Sequence, residues 1–228
     1  MMDKWLEIWN KSDRINNYIL DTLIKADGFD TGAGNFTLEN WKTYTQDFYN
    51  ILSIKSNESV FDIGCGSGAF LYPLYLLGIK VGGIDYSSPL IDLANRVMKN
   101  CDFQQIEASK ADFKLKYDYV ISHSVFHYFK GLEYAEDVLE KMLLKSTKSI
   151  GIFDINDMSK KSEYDELRMG KMNKYEYAKK YEGLNHLFYE KKWFEEIAKK
   201  YGVDVKIFDQ KFKGYSNSKL RFNVIMTK

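Results

Sequence analysis

The sequence predicts an α/β fold: a doubly wound, mostly parallel sheet with helices on both faces and a helical cap at the N-terminus. Three observations predict it. From residue 59 onward, short β-rich runs alternate with helical ones, the pattern of strands joined by crossover helices. The stretch VFDIGCGSGAF (60–70) reads as a buried strand entering a glycine-rich turn. Two β-rich runs, VDVKIF (203–208) and LRFNVIMT (220–227), lie close together near the end of the chain. They suggest a hairpin, with one edge of the sheet running antiparallel.

Each element follows from local pattern. Trp5, Ile8, Trp9, Ile15, Ile19 and Leu23 fall at roughly helical spacing, so residues 3–24 are expected to form an amphipathic helix. A glycine-rich loop, DGFDTGAGN (27–35), follows. Leu38, Trp41, Tyr44, Phe48 and Leu52 mark a second helix, with Thr37 as its N-cap. SVFDI (59–63) is the first strand, and a helix is expected over 67–78. KVGGID (80–85) is the second, followed by a helix over 89–99 with Ser88 as N-cap and Pro89 at its first position. DFQQIE (102–107) leads to a short turn, and YDYVIS (117–122) to a helix over 132–144. KSIGIFDI (148–155) is a fifth strand, and a helix over 190–201 precedes the hairpin. Pro73 lies beyond the first turn of the helix placed at 67–78, where proline costs a hydrogen bond and kinks the axis. That helix is bent there or starts later.

The 228 residues suffice for one compact domain with a real core. Residues 1–55 are expected to cap 56–228, with 156–189 as a lid insertion. Lys and Arg total 33 against 32 Asp and Glu, a net charge of +1. A nucleic-acid binder usually carries a basic excess, so nucleic acid is not an expected partner. Cys65 and Cys101 cannot make a disulfide scaffold, and reduced thiols in a cytoplasmic protein are the simple reading. MMDKWLEIWNKSDR has no apolar core of a signal peptide. The longest apolar run, 69–79, contains Pro73 and Gly78 and is too short to span a bilayer. No membrane partner is expected.

Gly64, Gly66 and Ala69 also satisfy the dinucleotide fingerprint. The ligand is therefore either a pyrophosphate or something positively charged. Asp62, two residues before the first glycine, decides between them. A carboxylate beside a pyrophosphate is unfavourable. Beside an ammonium or sulfonium at about 4 Å it is worth roughly 4 kcal/mol before desolvation, at a surface-like dielectric. Asp85 ends the second strand, about 20 residues beyond the glycines, where an acid accepts hydrogen bonds from ribose hydroxyls. A nucleoside with an amino-acid cation describes S-adenosylmethionine.

With VFDIGCGSGAF and GGIDYS in these roles, the chain resembles the class I S-adenosylmethionine-dependent methyltransferases. QQIEAS (104–109) and YDYVISHSVFHYF (117–129) are similar to that family's third and fourth motifs. The resemblance covers 59–155 and the last helix and strand pair. It implies seven strands with the last antiparallel, S-adenosylmethionine as cofactor and S-adenosylhomocysteine as product. It places Asp62, Gly64 and Gly66 along the methionine portion, with Cys65 and Gly68 in the same loop. Asp85 takes the ribose hydroxyls, with Tyr86 against the adenine and Ser87 beside it. Glu107 and the backbone of Ala108 meet the adenine edge, with Asp112 as a competitor for Glu107. Ser122, His123 and Ser124 line the methyl-transfer end.

The implied activity is methyl transfer to a small-molecule acceptor, with oxygen preferred: a glycan, a phosphate-type or a natural-product precursor. His123 and His127 follow the fourth strand, and histidine titrates near neutrality, so either can assist an acceptor hydroxyl. His186 is a third candidate. No third ligand accompanies the histidine pair, so no metal is expected. Four alternatives remain: methylation of a small amine, binding without catalysis, aminopropyl transfer, and an NAD(P)-dependent oxidoreductase, which Asp62 disfavours. Oligomeric state is not readable from the sequence.

Overall fold

The computed structural model describes residues 19–29 and 34–228. The helix expected over 3–24 lies outside these as far as residue 18, and so does part of the DGFDTGAGN loop. Its described portion is α1 (Ile19–Ala26). Helix α2 (Leu38–Leu52) starts at Thr37, whose hydroxyl accepts the Asn40 N–H at 3.2 Å while Asn40 Oδ1 accepts the Thr37 N–H at 3.0 Å. This reciprocal pairing satisfies two donors that a helix start leaves orphaned. Trp41, Tyr44, Thr45, Phe48, Tyr49 and Leu52 form the buried face of α2.

Seven strands follow, β1 (Ser59–Ile63), β2 (Lys80–Asp85), β3 (Asp102–Gln105), β4 (Tyr117–His123), β5 (Ser146–Asn156), β6 (Asp204–Asp209) and β7 (Arg221–Thr227). Their order is β3-β2-β1-β4-β5-β7-β6. Strands β1 to β5 pair parallel, whereas β7 is antiparallel to both β5 and β6. The hairpin is present, but its antiparallel member is β7, second from the edge. Strand β6 forms the edge itself. The strand order reverses between β1 and β4, which opens a crevice at the carboxyl ends of those strands.

Helices α3 (Tyr72–Leu76), α4 (Ser88–Val97), α5 (Leu132–Lys145), α6 (Lys161–Met169), α7 (Lys174–Lys180) and α8 (Lys191–Tyr201) complete the fold. Helix α3 is far shorter than the 67–78 expected. Pro73 lies in its first turn, where a missing N–H removes no intrahelical bond; the helix starts later. The cap of α4 is Ser87, not Ser88.

Strand alternation divides the core between the two faces of the sheet. Val60, Tyr119 and Ile121 pack with Trp41, Tyr44 and Phe48 of α2 and Ile91 of α4. Phe61, Ile63 and Val120 pack with Leu139 and Met142 of α5 and Phe194 of α8. Asp62 therefore shares the face of Val60, toward α1 and α2, and His123 shares the face of Ile121. Among the described residues no helix is long and apolar enough to cross a membrane.

Candidate active site

A cavity of about 830 Å³ occupies the crevice at the carboxyl ends of the central strands. The glycine turn forms one wall. The N–H groups of Gly64 and Cys65 both donate to the Ile84 carbonyl, at 2.8 and 2.9 Å, which ties the turn to β2. Gly64 and Gly66 have φ of +79° and +55°, a region that favours glycine. A Cβ at Gly64 would come within 2.4 Å of Val125 Cγ2, and one at Gly66 within 2.4 Å of Asp27 Oδ1. The turn thus has room for backbone only.

Three carboxylates surround it. Asp62 is 1% exposed, and its Oδ1 is buried with no hydrogen-bond partner among the described residues. Burial, reinforced by the charges of Asp27 and Asp85, pushes its carboxyl well above the usual range. Asp85 accepts the Gly66 N–H at 2.9 Å and the Ser87 N–H at 2.8 Å, and burial raises its pKa despite both bonds. Asp27, at the end of α1, accepts the Ser67 N–H at 2.7 Å and the Ala69 N–H at 3.3 Å. Burial raises it to about 7. Asp27 was not singled out from the sequence. It lies in a segment read there only as a glycine-rich loop, and no spacing rule links it to the glycines about 40 residues later.

An orphaned buried carboxylate oxygen in a ring of acids fits a cationic group and repels a pyrophosphate. The residues present therefore suit the amino-acid cation of S-adenosylmethionine. Tyr86, Leu90, Ile106, Glu107, Ala108 and Tyr134 line the adjoining wall. Glu107 accepts hydrogen bonds from the Tyr134 hydroxyl at 2.9 Å and the Ser109 hydroxyl at 3.1 Å. The Tyr134 bond leads in holding its carboxyl below the usual range. Asp112 is exposed and away from the cavity, accepting the Lys114 N–H at 2.8 Å.

Three other residues named from the sequence do not line the cavity. Gly68 sits behind the turn, where a Cβ would lie 2.2 Å from Met98 Cε. Ser87 is buried beneath Asp85, which holds its N–H. Ser122 points to the opposite face from His123, because strand side chains alternate, and its hydroxyl donates to the Ile63 carbonyl at 2.8 Å.

His123, Ser124, His127 and His186 all line the cavity. His123 lies between Phe29 and Phe70, with ring centroids 5.6 and 4.4 Å away and planes inclined by 20° and 19°. Its Nε2 is 3.1 Å from the Tyr44 hydroxyl, which donates to Gln210 Oε1 at 3.0 Å. With that hydroxyl hydrogen committed, Nε2 is the donor and Nδ1 keeps the lone pair. Burial pushes His123 down to about 4 and His186 to about 3. Burial, then the charge of Arg221, holds His127 well below its usual value. All three are neutral at pH 7. His186 Nδ1 hydrogen-bonds the Tyr164 hydroxyl, and the rings of His127 and His186 are 5.1 Å apart. Arg221, which the sequence reading did not single out, joins this wall.

A family model described as a methyltransferase domain matches residues 54–212, well over half of the chain. The putative methyltransferase 235L of Invertebrate iridescent virus 6 is 36% identical over 81 residues, which cover 34% of this chain and 30% of that protein. An uncharacterized protein of Haemophilus influenzae is 26% identical over 118 residues, covering 52% of this chain and 37% of that one. The chain thus spans about a third of the length of these curated relatives. Among solved structures, the plantazolicin methyltransferase BpumL, crystallised with a triazolic desmethylPZN analogue and S-adenosylhomocysteine, superposes with a TM-score of 0.65. The two are 16% identical, with 99% of this chain and 97% of that one covered. The magnesium protoporphyrin IX methyltransferase of Synechocystis PCC 6803, with bound S-adenosylmethionine, gives 0.59 at 15% identity, covering 99% and 90%. Such identities speak for the fold, while the family model carries membership. The chain belongs to the methyltransferase-domain family and shares the fold of methyltransferases solved with S-adenosylmethionine or S-adenosylhomocysteine bound.

Proposed function

We propose that this chain transfers a methyl group from S-adenosylmethionine to an oxygen of a small-molecule acceptor. The observation that carries the cofactor reading is Asp62 Oδ1, a buried carboxylate oxygen without a partner among the described residues, beside a turn whose Gly64 and Gly66 leave no room for a Cβ. The cofactor would supply a methyl group already activated on a sulfonium, so the protein's part is alignment and exclusion of water. Asp62 takes the ammonium. Asp85 offers its remaining lone pairs to the ribose hydroxyls, Tyr86 lies against the adenine, and Glu107 with the Ala108 backbone meets the adenine edge. Cys65 completes the turn's wall.

The cavity volume lies within the roughly 300–1,000 Å³ of small-molecule sites, near the upper end, which supports a nucleoside and a modest acceptor side by side. We assign the described parts of 1–55 as a cap and 156–189 as a lid. Asp27, Phe29 and Trp41 from the first and Tyr164, Tyr181 and His186 from the second line the cavity. His127 or His123 takes the proton of an acceptor hydroxyl. Both are neutral at pH 7 because burial disfavours the imidazolium; His123 keeps its lone pair on Nδ1, whereas Nδ1 of His127 faces the Arg221 guanidinium.

The test is a transfer assay with radiolabelled S-adenosylmethionine against hydroxyl, carboxylate and amine acceptors of small size. Label appearing on an oxygen supports the reading. Label found only on nitrogen overturns the acceptor assignment, and NADH binding in place of the methyl donor overturns the whole reading.

A further inference from the structure

The cavity is divided by charge. Its acidic lining residues, Asp27, Asp62, Asp85 and Glu107, belong to the glycine turn and the adenine wall. The part bounded by His127, Tyr128, Tyr164 and His186 carries a cation instead, Arg221. Arg221 opens β7, and because β7 runs antiparallel this residue pairs with Asn156 at the carboxyl end of β5. A guanidinium therefore stands at the edge of the sheet where ligands bind. Strand β7 is three strand spacings from β1, roughly 14 Å at about 4.8 Å each. The cation is set well apart from the acids that face the cofactor.

Arg221 is 4% exposed, and a buried guanidinium needs partners. Its Nη1 donates to Asn156 Oδ1 and lies 3.4 Å from His127 Nδ1. Its Nε is 3.6 Å from Asp154 Oδ1, beyond hydrogen-bond length, and among the described residues it has no hydrogen-bond partner. Asp154 is already engaged by the Ser124 hydroxyl at 2.8 Å, the Gln210 amide at 2.7 Å and the Tyr215 hydroxyl at 3.3 Å. It is 1% exposed and sits behind the cavity wall, whereas Arg221 forms part of that wall. The ion pair offsets charge inside the protein, and Nε of this cavity-lining guanidinium is left without a hydrogen bond among the described residues. The neighbouring histidines are neutral; Lys130 also lines the cavity but lies over the Tyr134 ring on the adenine side, and Arg168 is stacked on the ring of Tyr181.

We propose that Arg221 binds a carboxylate carried by the methyl acceptor. The planar fork of a guanidinium matches a carboxylate through two parallel hydrogen bonds. The ring of Tyr164, 5.7 Å from the guanidinium, and those of Tyr128 and Tyr181 on the same cavity suit an apolar or aromatic body on that acceptor. The inference rests on the reading that the glycine turn holds the cofactor, and it adds the chemical class of the second substrate.

The test uses the full chain saturated with S-adenosylhomocysteine and sets each acid against its neutral amide. The probes are benzoate with benzamide and indole-3-acetate with indole-3-acetamide, followed by ligand-observed NMR. We expect each acid to bind at least about tenfold more tightly than its amide. Arg221→Gln abolishes that preference, and Arg221→Lys keeps part of it. Equal affinity of acid and amide for the wild-type protein overturns the inference. So does no binding of either acid at millimolar concentration, or a preference that survives Arg221→Gln. The wild-type comparison stands even where a variant fails to fold. Failure of S-adenosylhomocysteine to bind overturns the reading of the glycine turn, while its binding without any carboxylate preference overturns only the role of Arg221.

Discussion

Asp62→Asn keeps the side chain's shape and removes its charge, which isolates the interaction on which the cofactor reading depends. A carboxylate and an ammonium at about 4 Å attract by roughly 4 kcal/mol at an effective dielectric of about 20. Net values for hydrogen bonds to charged groups are about 1.5–3 kcal/mol, because the ammonium must leave water. Asp62 lies toward the top of that range, since its carboxyl is already desolvated and its Oδ1 has no competing partner among the described residues. About 3 kcal/mol corresponds to an affinity loss of roughly 100-fold. The assay is calorimetric titration with two ligands, S-adenosylhomocysteine and 5′-methylthioadenosine, which lacks the amino-acid end. Asp62→Asn should weaken the first about 100-fold and leave the second within roughly twofold. The variant should also melt higher than the wild type at neutral pH. Its pKa in the folded protein is raised, so the stability associated with its protonation is lost as pH rises above the ordinary carboxylate range. Equal losses for both ligands, or no loss for either, would refute the pairing of Asp62 with the ammonium.

Asp27 is raised to about 7 by burial, and a cationic ligand favours its ionised form. The affinity for S-adenosylhomocysteine should therefore rise with pH through about 7, with proton release measurable as a dependence of binding heat on buffer. Asp27→Asn should remove the part of the rise centred near 7 and leave what Asp62 and Asp85 contribute; a flat wild-type profile contradicts this. His127→Ala and His123→Ala should lower turnover on a hydroxyl acceptor by about 10²–10⁴-fold in at least one case, with cofactor affinity little changed. Near-normal turnover in both variants would dismiss a histidine base. Glu107→Gln should weaken the nucleoside by about fivefold, a charge-assisted hydrogen bond's share, whereas Asp112→Asn, exposed and away from the cavity, should not alter it in the same titration.

Much of the fold was legible because strands buried against helices leave local signals. The runs at SVFDI and KVGGID match β1 and β2 residue for residue, and Thr37 caps α2 as its sequence suggests. The error at 67–78 has a physical cause. AFLYPLYLLGI is apolar enough to read as helix, yet its first residues build the turn that backs the cavity and only Tyr72–Leu76 are helical. The hairpin was visible, but not which of its strands would pair with β5, because strand order is set by packing across the sheet. In the site, Asp62 and Asp85 were readable because each lies at a strand end beside the glycine turn. Asp27 and Arg221 were not. Asp27 comes from a helix before the sheet, and Arg221 from the first residue of an antiparallel strand. Only the assembled fold brings both to the same cavity. Ser122 was misplaced for a simpler reason: neighbouring residues on β4 face opposite ways, and His123 has the cavity side.

A crystal structure with S-adenosylhomocysteine bound is the most direct measurement. The ligand's ammonium should lie within hydrogen-bonding distance of Asp62 Oδ1, with the ribose hydroxyls at Asp85. An amino-acid end turned away from Asp62, or no ligand density after millimolar soaking, would contradict the claim that this turn is built to receive a cation.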